Sequence, residues 1–189
     1  MSAAASATRL VFDGDRDYDL DQRAVTVAVG QVPPSGWSVR VAVGAVIDGR
    51  LAGEGRTADL GPGPLAAATV VRPWTWGRWF VDGSASLAAS RAPTRDGATG
   101  ATAGLWAIDG RVGVAAGRRL GPVSPYLLAR AFGGPVLWAV AGEDVVGTDA
   151  YHVQVGIGAS AALGAGWSAM VDVSALGERA ASVGVAYQR

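Results

Sequence analysis

Long stretches of the chain alternate between apolar residues and small or polar ones with a period of two. From Trp37 to Leu51, almost every second residue is aliphatic or aromatic, and the residues between are mostly small, polar or charged. The same alternation returns from Tyr151 to Ser160 and from Trp167 to Ser174. Successive side chains of a β-strand point to opposite faces, so this pattern predicts strands with one apolar face and one polar face.

Ten strands of this kind are predicted, and they follow one another along a single domain that spans residues 1–189. Their predicted ranges are 5–12, 21–30, 37–52, 63–72, 77–91, 101–117, 122–138, 150–162, 166–175 and 179–188. Short turns rich in Pro and Gly alternate with mostly longer, charged connections at residues 13–20, 53–62, 93–100 and 141–150. Alternating turn lengths and an even strand number are typical of an antiparallel up-and-down β-barrel. Eight or twelve strands are the alternative counts.

Composition excludes several classes of site. The chain has no cysteine, so disulfides, thiolate metal sites and thiol catalysis are excluded. Its 16 basic and 16 acidic residues give a net charge of zero. The sequence has no basic patch with interleaved aromatic residues, so it gives no sign of nucleic-acid binding. The uncharged stretch from Val155 to Val171 contains four glycines and divides into two alternating halves, so we expect a hairpin there rather than a membrane-spanning helix.

The composition of the polar face favours a barrel whose apolar face points outward to lipid. That face is rich in Gly, Ala and Ser, whereas exposed strands of water-soluble proteins carry more Lys, Glu and Thr. A second signal is aromatic: Trp and Tyr favour the boundary between lipid and water, and most of them lie near predicted strand ends. We therefore predict a transmembrane β-barrel with a girdle of Trp37, Trp74, Trp76, Trp79, Trp138, Trp167, Tyr151 and Tyr187. The alternative is a soluble β-barrel that binds an apolar ligand inside.

The closing segment of the chain resembles that of bacterial outer-membrane β-barrel proteins as a general class. It consists of residues 152–160, a Gly-rich turn, residues 167–175, and a last strand of alternating apolar residues that ends on the aromatic Tyr187. The resemblance implies a porin-like protein in the outer membrane of a Gram-negative bacterium. Its partners would be the lipid bilayer and lipopolysaccharide. Because residues 1–7 lack a basic start and a long apolar stretch, we expect a mature form whose signal peptide has been removed.

Charged residues on the predicted lumen face allow two interpretations. They are Arg40, Asp48, Arg50, Asp82, Asp109, Arg111 and Asp172. Both signs are present, so the side chains either neutralise one another and plug a narrow barrel or form a charged constriction that selects solutes. We favour the plug. A ten-stranded barrel is only slightly wider than one that side chains fill completely.

Five aspartates alternate over nine residues at the first predicted loop. Asp13, Asp15 and Asp17 are spaced like the start of an EF-hand loop, but Tyr18 stands where Gly is required and Ala24 where the bidentate Glu belongs. A solvated acidic loop is the favoured interpretation. Bound Ca²⁺, or a cation bridge to lipopolysaccharide phosphates, is the alternative, and its ligands would come from Asp13, Asp15, Asp17 and Asp19.

The single histidine, His152, is the one candidate for acid–base catalysis by an imidazole. A nucleophilic triad would combine it with residues such as Asp149 and Ser160. A rim histidine that hydrogen-bonds a neighbour explains the residue more simply. The sequence therefore favours a non-enzymatic barrel with a structural, small-pore or loop-presenting role, no cofactor and no predicted catalytic residue. An outer-membrane hydrolase that uses His152 is the alternative.

Overall fold

The computed structural model of the protein describes residues 1–33, 36–140 and 142–188. The described residues form thirteen β-strands in one antiparallel sheet. The strands are β1 (Ser2–Phe12), β2 (Arg16–Gln31), β3 (Ser38–Gly53), β4 (Arg56–Leu60), β5 (Gly63–Trp76), β6 (Trp79–Asp96), β7 (Thr102–Arg118), β8 (Val123–Gly133), β9 (Val136–Val140), β10 (Glu143–Asp149), β11 (Val153–Gly164), β12 (Trp167–Leu176) and β13 (Arg179–Tyr187). Within these described residues, no helix has the length and apolar character needed to cross a bilayer.

Three pairs of consecutive strands continue one another along the wall of the barrel. Gly61 and Pro62 separate β4 from β5, Gly134 and Pro135 separate β8 from β9, and residues 150–152 separate β10 from β11. Proline has no N–H to donate to a neighbouring strand, which explains two of the breaks. Counted as continuous walls, the described strands form a ring of ten that closes through β13 and β1. The predicted ten-stranded, all-β antiparallel barrel is confirmed.

The barrel has two sections with different numbers of strands. The lower section, which holds both chain ends, is a ring of β1, β2, β3, β5, β6, β7, β8, β11, β12 and β13. The β12–β13 hairpin turns at residues 177–178, and above it β10 pairs directly with β1, where Leu10 lies opposite Asp149 and Phe12 opposite Gly147. The upper section is therefore a ring of eight strands: β1, β2, β3, β4, β6, β7, β9 and β10.

The outward face of the ten-strand section is apolar. Aliphatic side chains project from it with large exposed fractions, as at Val29, which is 75% exposed, and Leu127, which is 65% exposed. Further exposed members of this apolar belt are Val27, Val41, Val43, Leu87, Val112, Val114, Val155, Ile157, Val171, Val173, Val183 and Val185. The alternate positions, which face the lumen, are mainly Gly, Ala, Ser and Thr. This polarity is the reverse of that in a water-soluble barrel, whose apolar face is inside.

A β-bulge between β2 and β3 reverses which face of β3 points outward. Arg23 pairs with Asp48 and the next residue, Ala24, pairs with Val46, so Ile47 is the extra residue. Above the bulge, Leu51 points inward and is completely buried, while Asp48 and Arg50 are exposed on the outside. The prediction that Asp48 and Arg50 line the lumen is wrong, because it extended the alternation of β3 through the bulge without a change of face.

The upper connections are shorter than the sequence predicts, because the strands continue beyond the apolar belt. Residues 13–20 were predicted as a loop, but the turn covers only residues 13–15 and β2 begins at Arg16. Asp15 and Glu54 occupy the tight upper turns with φ angles of 56° and 52°. Both lie in the left-handed region, which Asp tolerates better than most residues. Residues 34 and 35 of the first predicted lower turn, and residue 141, lie outside the described residues.

One upper turn is held by a carboxylate. At the upper end of β6, beyond the apolar belt, Asp96 Oδ1 accepts hydrogen bonds from the Ala98 amide (3.0 Å), the Thr99 amide (2.7 Å) and the Thr99 hydroxyl (2.9 Å). These bonds, first those from Thr99, lower the pKa of Asp96 below its ordinary value. The ionised side chain therefore fixes the turn between β6 and β7.

We expect Leu51→Ala to destabilise the barrel by about 2–5 kcal/mol, because it removes a fully buried side chain and leaves a cavity. Leu163→Ala, at a lower-rim position that is 61% exposed, makes the same chemical change and should alter stability by less than about 1 kcal/mol. Denaturant unfolding in detergent micelles measures both values. Equal losses of stability for the two variants would contradict the buried, inward position of Leu51 in the eight-strand section.

We expect the turn held by Asp96 to loosen at acid pH. The folded pKa is below the unfolded value of about 3.9, so the stabilisation is present above that value and is lost as the pH falls through the folded pKa. Asp96→Ala should remove the protection of the Ala98 and Thr99 amides at every pH. Asp96→Asn keeps an acceptor oxygen and should retain part of it. Amide hydrogen exchange, followed as the pH is lowered from neutral into the acid range, measures the effect; protection that does not change with pH would refute it.

Candidate functional site

The interior of the eight-strand section is filled by an apolar core. Phe12, Tyr18 and Trp138 pack edge to face or tilted, with ring centroids 5.1–5.9 Å apart. The Trp138 indole N–H donates to the Thr94 hydroxyl at 3.0 Å, which satisfies the only polar atom of that ring. The other buried members of this apolar core are Leu10, Leu20, Leu51, Ala58, Leu60, Ala92, Leu105, Val136 and Val145. Together these side chains close the upper end of the lumen.

The placement of Trp138 in the aromatic girdle is wrong, because this residue is 6% exposed and faces the core. It lies on β9, which belongs to the narrow upper ring. Side chains alternate along β9, and Val136 and Trp138 point inward while Leu137 is exposed. The alternation of apolar and polar residues did not predict this core. A signal was present in Tyr18 and Leu20, which alternate with the aspartates of the acidic run. With the aspartates outside, these two apolar side chains fill the interior.

A charged layer lies directly beneath the apolar core. Arg111 on β7 pairs with Asp109 on the same strand and, at 2.8 Å, with Glu178 from the β12–β13 turn. Glu178 is almost completely buried, although it lies in the three-residue gap between the predicted strands 166–175 and 179–188. Its carboxylate connects the turn of the β12–β13 hairpin to β7, which β8 and β11 separate from β12 in the ring.

An uncharged amide completes this layer. Gln154 on β11 is fully buried. Its Oε1 accepts from the Arg130 guanidinium at 3.3 Å and its Nε2 donates to the Glu178 backbone carbonyl at 3.4 Å. Close by, Asp149 accepts a hydrogen bond from the Thr8 hydroxyl at 3.0 Å. Buried polar groups need such partners because unpaired ones are costly away from water. The layer thus joins β1, β7, β8, β10, β11 and the β12–β13 turn.

Below the charged layer, the lumen contains a small polar cavity. Its volume is about 200 Å³, and its lining includes the small residues Ala4, Ala24 and Ala181. Asp172, predicted to line the lumen, accepts from the Tyr126 hydroxyl at 2.5 Å and the Ser182 hydroxyl at 3.2 Å. Both of its oxygens are therefore engaged by the barrel wall.

Two further predicted lumen charges lie nearer the lower opening. Arg40 on β3 and Asp82 on β6 interact electrostatically, and Arg119 from the β7–β8 turn interacts with the same carboxylate. Of the seven predicted lumen charges, the structure therefore brings only Asp109 and Arg111 into direct contact. Asp82, Arg40 and Asp172 lie lower in the lumen, and Asp48 and Arg50 are outside.

The remaining predicted girdle residues are exposed and lie near strand ends. Six are at the lower rim: Trp37, Trp74, Trp76, Trp79, Trp167 and Tyr187. Tyr151 lies at the break between β10 and β11, at the upper margin of the apolar belt. Trp106 on β7, which was not predicted, is also exposed at this upper margin, where Arg91 stacks on its ring at 4.8 Å.

The four aspartates considered as alternative Ca²⁺ ligands are spread along a hairpin. Asp13 accepts a hydrogen bond from the Val146 amide at 3.3 Å, and Asp15 occupies the turn. Asp17 and Asp19 project outward from β2, and Asp19 forms an ion pair with Arg9 at 3.0 Å. The described residues contain no group of three or more His, Asp or Glu side chains arranged to hold a metal ion. Calcium binding stays an untested alternative to the solvated acidic loop.

His152 and Asp149 engage different partners. His152 Nδ1 lies 3.3 Å from the Phe132 carbonyl oxygen, and its side chain is exposed. Asp149 is bonded to Thr8, as described above. A catalytic pair requires the carboxylate to orient the imidazole, and here a backbone carbonyl does so.

Comparisons with known proteins add little to this description. No family model and no curated protein matches the chain. One similar solved structure is a five-substitution mutant of Rh. blastica porin, at 10% identity, with 98% of each chain covered and a TM-score of 0.26.

We expect Arg111→Met to destabilise the barrel by about 3–5 kcal/mol, because it leaves Asp109 and Glu178 buried without a cation. The same substitution in a Glu178→Gln background should cost less, since one uncompensated charge is then absent. The matched control is Arg23→Met, which breaks the exposed pair with Asp48 and should cost less than about 1 kcal/mol. Denaturant unfolding of the parent protein, Arg111→Met, Glu178→Gln and the double variant gives the coupling free energy between Arg111 and Glu178. A coupling near zero would show that the charged layer does not hold the β12–β13 turn.

Proposed function

We propose that the protein is an integral barrel of a bacterial outer membrane, non-enzymatic, with a closed outer end and a structural role. The observation that carries the proposal is the reversed polarity of the ten-strand section. Its outward face is aliphatic, and its lumen face holds small and polar residues. Burying that belt in hydrocarbon removes a large apolar surface from water, which provides the driving force for insertion.

A structural role is favoured over a pore because side chains fill the upper lumen. A ring of eight strands is just wide enough for its own side chains. The apolar core and the charged layer of Arg111, Asp109 and Glu178 occupy this ring and the level beneath it. The polar cavity lies below this level, and the charged layer separates it from the apolar core. The eight-strand section would stand above the bilayer and present its short turns to the outside, where lipopolysaccharide is the expected neighbour.

The observations disfavour the two alternatives considered for the sequence. A water-soluble barrel with an internal apolar ligand would leave an unusually large contiguous apolar surface in water. Its ten-strand lumen would also offer the ligand Asp172, Arg130 and Gln154 rather than aliphatic walls. A hydrolase based on His152 lacks an orienting carboxylate, since Asp149 is bonded to Thr8.

We expect the protein to fold only in the presence of detergent or lipid. In micelles or vesicles it should give a β-rich circular dichroism spectrum and migrate differently on a gel before and after boiling. In planar bilayers the inserted protein should show no sustained single-channel currents, because the apolar core blocks the lumen. A monodisperse β-protein in buffer without detergent would overturn the membrane proposal.

Conductance tests the closed lumen separately from insertion. Trp138→Ala combined with Phe12→Ala removes two rings from the core and should produce channel openings that the parent protein lacks. The control is Trp167→Ala, which removes a ring on the outside of the lower rim. Steady currents through the parent protein would contradict the closed barrel while leaving the membrane location intact.

A further inference from the structure

The two rims of the barrel carry different charges. The four lower connections, at residues 31–37, 76–79, 118–123 and 164–167, contain no Asp or Glu. Arg78, Arg118 and Arg119 lie in them, and Arg72 is near the lower end of β5. The upper rim is rich in carboxylates, which include Asp13, Asp15, Asp17, Asp19, Glu54, Asp59, Asp96, Glu143 and Asp144. A chain with zero net charge is therefore polarised along the barrel axis.

The lower arginines form a compact group on neighbouring strands. Trp79 lies opposite Arg118 in the β6–β7 pair, and the Arg119 amide donates to the Arg78 carbonyl at 2.8 Å. Three guanidinium groups therefore extend from two adjacent turns. On the same side of the barrel, β5 and β3 bring Arg72 beside Trp37. We call Arg72, Arg78, Arg118 and Arg119, with Trp37, Trp74, Trp76 and Trp79, the Arg–Trp rim.

Among the described residues, no carboxylate forms an ion pair with Arg78, Arg118 or Arg119. The ion pairs of Arg9, Arg16, Arg23 and Arg111 lie elsewhere in the barrel. Asp82 is the described carboxylate that interacts with Arg119, and it faces the lumen, where Arg40 shares it. Like charges on adjacent turns repel one another, so the group is stabilised when an anion from outside the protein binds it.

Stacking orients two of the guanidinium groups. Arg72 lies 5.5 Å from the ring centroid of Trp37, and Arg118 lies 5.3 Å from that of Trp79, both within the range of cation–π attraction. The guanidinium of Arg118, which stacks through its face, keeps N–H donors along its edge, and this fork matches the oxygens of a phosphate. The indole rings, half exposed at the end of the apolar belt, are suited to the headgroup level of a bilayer.

We propose that the Arg–Trp rim binds the phosphates of anionic glycerophospholipids in the leaflet at the lower end of the barrel. The inference rests on the proposed membrane location. The apolar belt continues directly above the arginines, so a lipid can place its acyl chains on the belt and its phosphate on the guanidinium groups. Free phosphate or an acidic soluble partner would use the arginines but not the adjoining apolar surface.

The proposal predicts that phosphatidylglycerol is enriched around the inserted protein. Four of the seven tryptophans belong to the rim, so their fluorescence reports its lipid neighbours. The protein would be refolded into phosphatidylcholine vesicles that contain increasing fractions of brominated phosphatidylglycerol or brominated phosphatidylcholine. Bromine quenches nearby tryptophan, and the ratio of the two quenching curves gives the relative binding constant. We expect a clear preference for phosphatidylglycerol at low salt that weakens at high salt.

The test variant is Arg78→Gln, Arg118→Gln and Arg119→Gln combined, and the matched control is Arg50→Gln, Arg56→Gln and Arg95→Gln at the upper rim. Both remove three positive charges. The control should keep the preference for phosphatidylglycerol. In the test variant, each replaced arginine should reduce the preference for phosphatidylglycerol about fivefold at low salt. The single variant Arg118→Lys keeps the charge but loses the planar fork, and it should retain an intermediate preference.

The outcomes separate this inference from the proposed function. A barrel that inserts and shifts on boiling but shows equal quenching by the two lipids overturns the inference alone. Equal loss in the lower and upper variants also overturns it, because net charge would then explain the effect. Binding of free phosphate or acidic polymers without lipid enrichment assigns the arginines to a soluble partner and contradicts the proposal. Failure to insert into any vesicle overturns the proposed function itself.

Discussion

Direct pairing of β10 with β1 is the constraint on which the rest of the structure depends. The β12–β13 hairpin ends early, and if nothing bridged the gap, two strand edges would be left with unpaired N–H and C=O groups. Pairing of Leu10, Val11 and Phe12 with residues 147–149 closes that gap. The closure reduces the ring from ten strands to eight. A narrower ring has an interior that side chains fill, so the apolar core can form there and nowhere lower in the barrel.

The charged layer occupies the level at which the ring changes its strand number. The hairpin turn brings Glu178 and its backbone carbonyl to the barrel interior, where both need partners. Arg111 on β7 and Gln154 on β11 provide them. The layer therefore gives the Glu178 carboxylate and backbone carbonyl their partners, and it separates the apolar core above from the polar cavity below. Charges that the sequence analysis assigned to a plug thus join the turn to the wall, and the apolar core provides the closure.

The two parts of the barrel also differ in what their outer surfaces face. Along the ten-strand section the outside is aliphatic and ends in tryptophans, which stack with arginines at the lower rim. Above the bulge of β2 and β3 the outside becomes polar, with ion pairs such as Arg23 with Asp48 and Arg9 with Asp19. On β3, one extra residue is enough to make this change, because the side-chain period of a strand is two.

The alternation of Val39, Val41 and Val43 with small residues by itself determined that the chain forms strands with one apolar face, and the spacing of turns determined ten of them. Both are local properties, set by side-chain period and by Gly and Pro. Tertiary structure alone decided that Leu51 and Trp138 are buried, that Asp48 and Arg50 are outside, and that Glu178 reaches Arg111. These outcomes depend on a bulge and on pairing between β1 and β10, which are more than 130 residues apart along the chain. A period-two pattern does not reveal where its phase changes or which distant strands become neighbours, so the lumen could not be read from the sequence.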